Sequence, residues 1–157
     1  MDHATLERAV YRQRITVPPE AIDENGHLNN VRYVQWMQDI AIAHANHTSC
    51  TAETTKVDAT WIVRSHTVNY LSPAFEGEQL IVLTWIADIR KVQSQRKYQF
   101  FRLSDQTLLA TGDTNWVFVS QSTGKPKAIP SSVAESFQIV SNSEKISLQN
   151  LSYNETQ

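Results

Sequence analysis

The sequence predicts an α+β fold, one antiparallel five-stranded sheet curled around a single long central helix. Three observations carry that expectation. The order of patterns is one strand, one long helix, then four strands. The helical segment is broadly apolar, as expected of a helix wrapped by other elements. The length of 157 residues suits one domain with one core. Residues 1–135 are expected to form that domain and 136–157 a polar C-terminal tail.

"AVYRQRITV" reads as the first strand, closed by Pro18 and Pro19, which cannot continue a ladder. From Leu28 to about Asn46 the pattern becomes helical. Val31, Val34, Ala41 and Ala45 mark one stripe, which Trp36, Met37, Ile40 and Ile42 widen. After "HTSCTAETTKVDAT" the chain is strand-like. "WIVRSHTVNYL" alternates, Pro73 and Gly77 make a turn, and "EQLIVLTWIADIR" follows as a nearly continuous apolar strand. "QSQRKYQFFRLS", the "SDQT" turn and "LLATGDTNWVFVS" form an antiparallel pair, ended by "STGKP". From Ser131 the composition turns polar, predicting a short helix and then a frayed tail. No internal repeat is present.

The formal net charge of −2 marks the chain neither as a nucleic-acid binder nor as a membrane binder. Cys50 is the only cysteine, which excludes an intrachain disulfide and fits a reducing compartment. "MDHATLERAVYRQR" has no apolar signal core, and "LIVLTWIADI" is far short of a membrane span. A cytoplasmic location is expected. The N-x-[ST] triplets at Asn46, Asn150 and Asn154 are read as chance.

The chemistry-bearing stretch is "DENGHLNNVRYVQW", residues 23–36, which crowds polar groups in front of the helix. A helix N-terminus leaves unpaired N–H groups and a partial positive charge, suited to an anion or a developing oxyanion. Gly26 lets backbone approach a ligand, Asn29 or Asn30 suits the cap, and Asp23 lies within loop reach. A carboxylate beside oxyanion donors is the minimum equipment for acyl transfer to water. The same residues equally suit plain capping and turn formation, useful for about 1 kcal/mol of stability.

The stretch resembles the D-x-x-G-H-x-N-N-x-x-Y-x-x-W signature of hotdog-fold acyl-CoA and acyl-ACP thioesterases, the 4-hydroxybenzoyl-CoA thioesterase-like family. The resemblance continues through "WIVRSHTVNYLSPAFEGEQLIVLTW" and "LLATGDTNWVFVSQSTGKPKAIP", and covers roughly residues 10 to 130. It implies the hotdog fold, Asp23 as the catalytic carboxylate and Gly26 as the turn glycine. It also implies that the Asn30 backbone N–H polarises the thioester carbonyl, that His27 and Asn29 position water, and that Tyr33 packs or lines the pocket. One departure bears on the loop's hydrogen bonding. Many relatives read D-x-D-x-x-G-H, whereas Ala21 stands at the first acidic position here, with Glu20 one residue out of register.

Other candidates stand outside the motif. His44 and His47 are three apart, a spacing that suits a shared metal but also the dipole at a helix end, and no metal is expected. His66 is read either as a substrate-side residue or as a cross-strand partner. Lys91, Arg96 and Lys97 form the only basic cluster, a grip for coenzyme A phosphates or an acidic carrier protein, or else a solvated strand end. Trp36, Trp61 and Trp85 suit core and pocket equally.

The expectation is therefore a thioester hydrolase, with no metal or redox cofactor, acting on acyl-CoA or acyl carrier protein. Its alternative is a non-catalytic acyl-thioester-binding protein. A lone sheet leaves edge strands unpaired, and relatives join copies edge to edge, so a homodimer or homotetramer is expected.

Overall fold

In the computed structural model, which describes residues 1–151, five strands pair into one antiparallel sheet in the order β1-β3-β4-β5-β2. The strands are β1 (Tyr11–Thr16), β2 (Ala59–Tyr70), β3 (Gln79–Ile89), β4 (Gln93–Arg102) and β5 (Leu108–Ser120). Four helices accompany them: α1 (His3–Ala9), α2 (Asn30–His47), α3 (Cys50–Lys56) and α4 (Ser131–Ala134). The sheet curls around α2, so the expected α+β architecture is present.

The inward face of α2 is Tyr33, Met37, Ile40, Ala41 and His44. These follow helical spacing of three and four, but rotated from the stripe read in the sequence. Val31 and Ile42, assigned to that stripe, are 73% and 55% exposed. Burial instead takes in a tyrosine and a histidine that a purely apolar pattern passes over. The helix sits close on β5 at Gly112, where a Cβ would lie 2.9 Å from both Met37 Cε and Sδ.

The second face of the sheet is covered as well. Leu6, Ala9 and Val10 from the N-terminal segment pack with Val140, Ile146 and Leu151 over Ile81, Leu83, Trp85 and Phe101. The Val140 N–H donates to the Ile86 carbonyl at 2.9 Å. The tail is thus not frayed up to residue 151; its scattered apolar residues are spaced to seal β3. That is also why β3 reads as a continuous apolar run, since both its faces are buried. Residues 152–157, with the Asn154 triplet, lie outside the described residues.

Helix α1 and helix α3 were not foreseen. Asp2 caps α1 by accepting from the Thr5 N–H at 2.8 Å. Helix α3 grows from a Thr-rich stretch of low helix propensity, and it is held by Cys50 and Thr54, which point inward.

Candidate active site

The loop before α2 closes on itself through the backbone. Asp23 N–H donates to the His27 carbonyl at 2.9 Å, and Gly26 N–H donates back to the Asp23 carbonyl at 3.0 Å. The reversal needs a left-handed residue, and Gly26 supplies it at φ 78°. The Asp23 Oδ1 accepts from the Asn25 N–H at 2.9 Å and the His27 N–H at 3.3 Å. One carboxylate oxygen therefore fixes the loop, and Oδ2 takes no donor among the described residues.

The helix start is set beside this loop. Asn29 N–H donates to the Ala21 carbonyl at 2.8 Å, and Leu28 N–H to the Ala74 carbonyl at 2.8 Å. Asn29 is the cap, its Oδ1 accepting from the Val31 N–H at 3.0 Å. Asn30 is the first helical residue, where the N–H has no intrahelical acceptor. Its carbonyl receives the Tyr70 hydroxyl at 2.7 Å, which ties the end of β2 to the helix start. The departure at Ala21 is accommodated: its side chain is buried, its carbonyl holds Asn29, and Glu20 pairs with Arg32 at 3.5 Å.

Several expected site residues do other work. Asn29 spends its side-chain oxygen on the cap. Tyr33 is 2% exposed and packs edge-on against Phe100 and Tyr70, where burial raises its hydroxyl pKa to about 12; it is a core residue, not a pocket wall. His27 is exposed and stands edge-on to Phe75. His66 is a cross-strand partner, its Nδ1 lying 2.8 Å from the Thr114 hydroxyl, with burial lowering its pKa.

The basic cluster does not exist as a surface. Alternation along β4 sends Arg96 inward with Tyr98 and Phe100, and Lys97 outward to Asp113 at 3.2 Å. Lys91 alone stays exposed, at the β3–β4 turn. Arg96 is 3% exposed, and its Nη1 contacts His44 Nδ1 at 2.8 Å and the Thr84 hydroxyl at 3.0 Å. Arginine only donates, so His44 Nδ1 is the acceptor and its proton sits on Nε2. Burial first, then the Arg96 charge and His47, push the His44 pKa down to about 3. His44 is stacked on Tyr11 at 5.1 Å. Its free lone pair is committed to Arg96 rather than to a metal shared with His47.

Arg96, held from behind by His44, borders a cavity of about 420 Å³ under the C-terminal half of α2, a volume within the usual 300–1,000 Å³ of ligand sites. Ala41 and Ala45 of α2, Cys50 of α3, Trp61 of β2, Ile86 of β3 and Phe137 line it with Arg96. Trp61 is thus a pocket wall, whereas Trp85 belongs to the opposite face of the sheet.

The model of the family described as the thioesterase-like superfamily matches residues 17–137. The chain belongs to the thioesterase-like superfamily. No curated protein matches it. Among solved structures it resembles a 1,4-dihydroxy-2-naphthoyl-CoA thioesterase from Synechocystis, with TM-score 0.69 and 17% identity over 78% of this chain and 90% of that one. It also resembles a hypothetical protein of Staphylococcus aureus in complex with CoA, with TM-score 0.73 and 20% identity over 90% and 96%. A third is the 12:0-ACP thioesterase of Umbellularia californica, with TM-score 0.77 and 20% identity, of which this chain covers 60% while 98% of its own length is covered. The TM-scores, at these low identities, establish the fold, which is the hotdog fold. Among the described residues no helix is long and apolar enough to cross a membrane.

The sequence reading missed the His44–Arg96 contact and the role of Tyr70. The signal for Arg96 was present in the alternation of "SQRKYQF", which puts it on the same face as Tyr98 and Phe100. The contact with His44 joins residues 52 apart and has no local signature.

Proposed function

We propose that this protein hydrolyses acyl thioesters of coenzyme A or of an acyl carrier protein, with Asp23 as general base or nucleophile and the Asn30 N–H as oxyanion donor. One observation carries the reading: the closed loop holds a carboxylate with one uncommitted oxygen next to a helix start whose first N–H has no acceptor. Family membership supports thioester chemistry, and the CoA in the Staphylococcus aureus relative supports CoA as a carrier.

As general base, Asp23 Oδ2 takes a proton from water while the hydroxide oxygen bonds to the thioester carbon. The oxyanion rests on the Asn30 N–H. Collapse breaks the C–S bond, and the thiolate recovers the proton from Asp23. As nucleophile, Oδ2 itself bonds to that carbon and expels the thiolate, and water then hydrolyses the anhydride.

The edge strand β2 completes the reading. It runs for 12 residues with no strand paired on its outer side among the described residues. Pairing with a second copy about a two-fold axis through its middle makes an antiparallel ladder, which covers the edge. The Tyr70 end of one β2, tied to Asn30, then meets the Ala59 end of the other, which borders the cavity. Each site is assembled from the loop of one copy and the cavity of the next, in at least a homodimer.

Thiol release from a panel of acyl-CoA and acyl carrier protein thioesters tests the activity. Turnover on either carrier supports it, and none on both supports an acyl-binding protein instead. Single turnover in oxygen-18 water separates the two routes, label in Asp23 marking the nucleophile. Light scattering should find no active particle at the 17.9 kDa monomer mass.

A further inference from the structure

A guanidinium buried to 3% exposure normally has a carboxylate beside it, because a desolvated charge without a counter-charge costs several kcal/mol. Arg96 has none among the described residues: its contacts are the neutral His44, the Thr84 hydroxyl and the Phe137 ring at 5.4 Å. Only Nη1 is engaged. Nε and Nη2 find no acceptor among the described residues, and the residue borders the cavity. Burial lowers the Arg96 pKa, but arginine starts so high that it stays cationic near neutral pH.

The cavity is graded from mouth to floor. Exposed Ile42, Asn46 and Thr51 stand at its rim, and buried Ser94, Cys50 and Arg96 lie deep. The walls between are mainly apolar, Ala41, Ala45, Trp61, Ile86 and Phe137 among them. A cation without a counter-charge beneath apolar walls matches an apolar body with one anionic end. It does not match a pyrophosphate, which calls for several cations close to water.

We propose that this cavity is the acyl subsite and takes an acyl group ending in a carboxylate, with the Arg96 guanidinium as its counter-charge and His44 as the residue that positions it. This rests on the thioester reading above, since it names the acyl group for that site. A charge-assisted hydrogen bond of about 1.5–3 kcal/mol corresponds to a preference of roughly 10- to 100-fold.

The test compares wild type and Arg96→Met on CoA thioesters of equal length ending in a carboxylate, a carboxamide or a methyl group. In the wild type the carboxylate end should give the highest kcat/KM, by about 10- to 100-fold over methyl and mainly through KM. Arg96→Met should abolish or invert that order. A wild type that favours the methyl end, or an order unchanged in the variant, overturns the proposal. Should Arg96→Met fail to fold, the wild-type order and that of Arg96→Gln, which keeps a polar side chain and removes the charge, decide it: the carboxylate preference should be lost, and one that survives overturns the proposal.

A second arm uses the same acyl groups on N-acetylcysteamine, which has no phosphates. The preference should persist; its restriction to CoA would assign Arg96 to the carrier and overturn the acyl subsite. If no thioester is turned over, the hydrolase reading fails, and calorimetric titration of the wild type with the carboxylate-ended and methyl-ended CoA thioesters decides the subsite. Tighter binding of the carboxylate end supports it, and equal binding overturns it.

Discussion

The two ends of α2 solve opposite problems. At the N-terminal end, mostly exposed polar groups are held by short-range backbone bonds, and one carboxylate oxygen of Asp23 and the first helical N–H have no hydrogen-bond partner among the described residues. At the C-terminal end, a cation and a histidine are buried and held by each other across 52 residues of sequence. The first arrangement tolerates water and costs little to build. The second is stable only because every polar contact is specific, which makes it a place where small changes have large consequences.

The largest expected break in that contrast is Arg96→Glu. It puts a carboxylate among Ile86, Phe137 and a neutral His44, and should destabilise by about 3–5 kcal/mol in denaturant unfolding. Lys91→Glu, on an exposed turn, should stay within about 0.5 kcal/mol and raise KM at most if Lys91 meets the carrier. Equal effects of the two reversals would erase the distinction between a buried and an exposed cation.

The distinction was half legible in the sequence. The Asp23 loop is contiguous, so its local chemistry pointed to the turn glycine and to a cap at Asn29 or Asn30, the family resemblance singled out the carboxylate, and the strand periods carried the sheet. What stayed hidden was non-local. His44 looked like a metal ligand or a dipole partner because only its neighbour His47 was visible, and Arg96 looked like a surface cation because charge was counted along the chain rather than by face. The tail from Ile139 to Leu151 looked polar, since its three sealing residues are spread thinly; the run of apolar residues in β3 already signalled that something must cover its second face.

Acid titration sharpens the comparison next. The folded His44 stays neutral down to about pH 3, whereas an unfolded histidine takes a proton near 6.5. The unfolded state therefore binds the extra proton between these values, and stability falls as pH drops from about 6.5 toward 3, by up to about 1.4 kcal/mol per pH unit from this group. His44→Gln keeps an acceptor for Arg96 but removes the titration, so its acid limb should be shallower than that of the wild type between pH 6 and 4. Parallel limbs would mean that His44 is protonated in the fold. The smallest expected effect is Asn29→Ala, which removes the cap bond to Val31 and should cost about 1 kcal/mol, a drop of roughly 2–4 °C in Tm.

The central claim, that the exposed end performs the reaction, is tested most directly by the kcat of purified Asp23→Asn on a thioester that the wild type hydrolyses, with its melting curve recorded alongside. Asparagine keeps an oxygen for the Asn25 and His27 N–H groups but can neither take a proton from water nor attack as a carboxylate. The account predicts a fall of at least about 100-fold in kcat with a nearly unchanged Tm. A variant that melts like the wild type and turns over at a near-wild-type rate would contradict it.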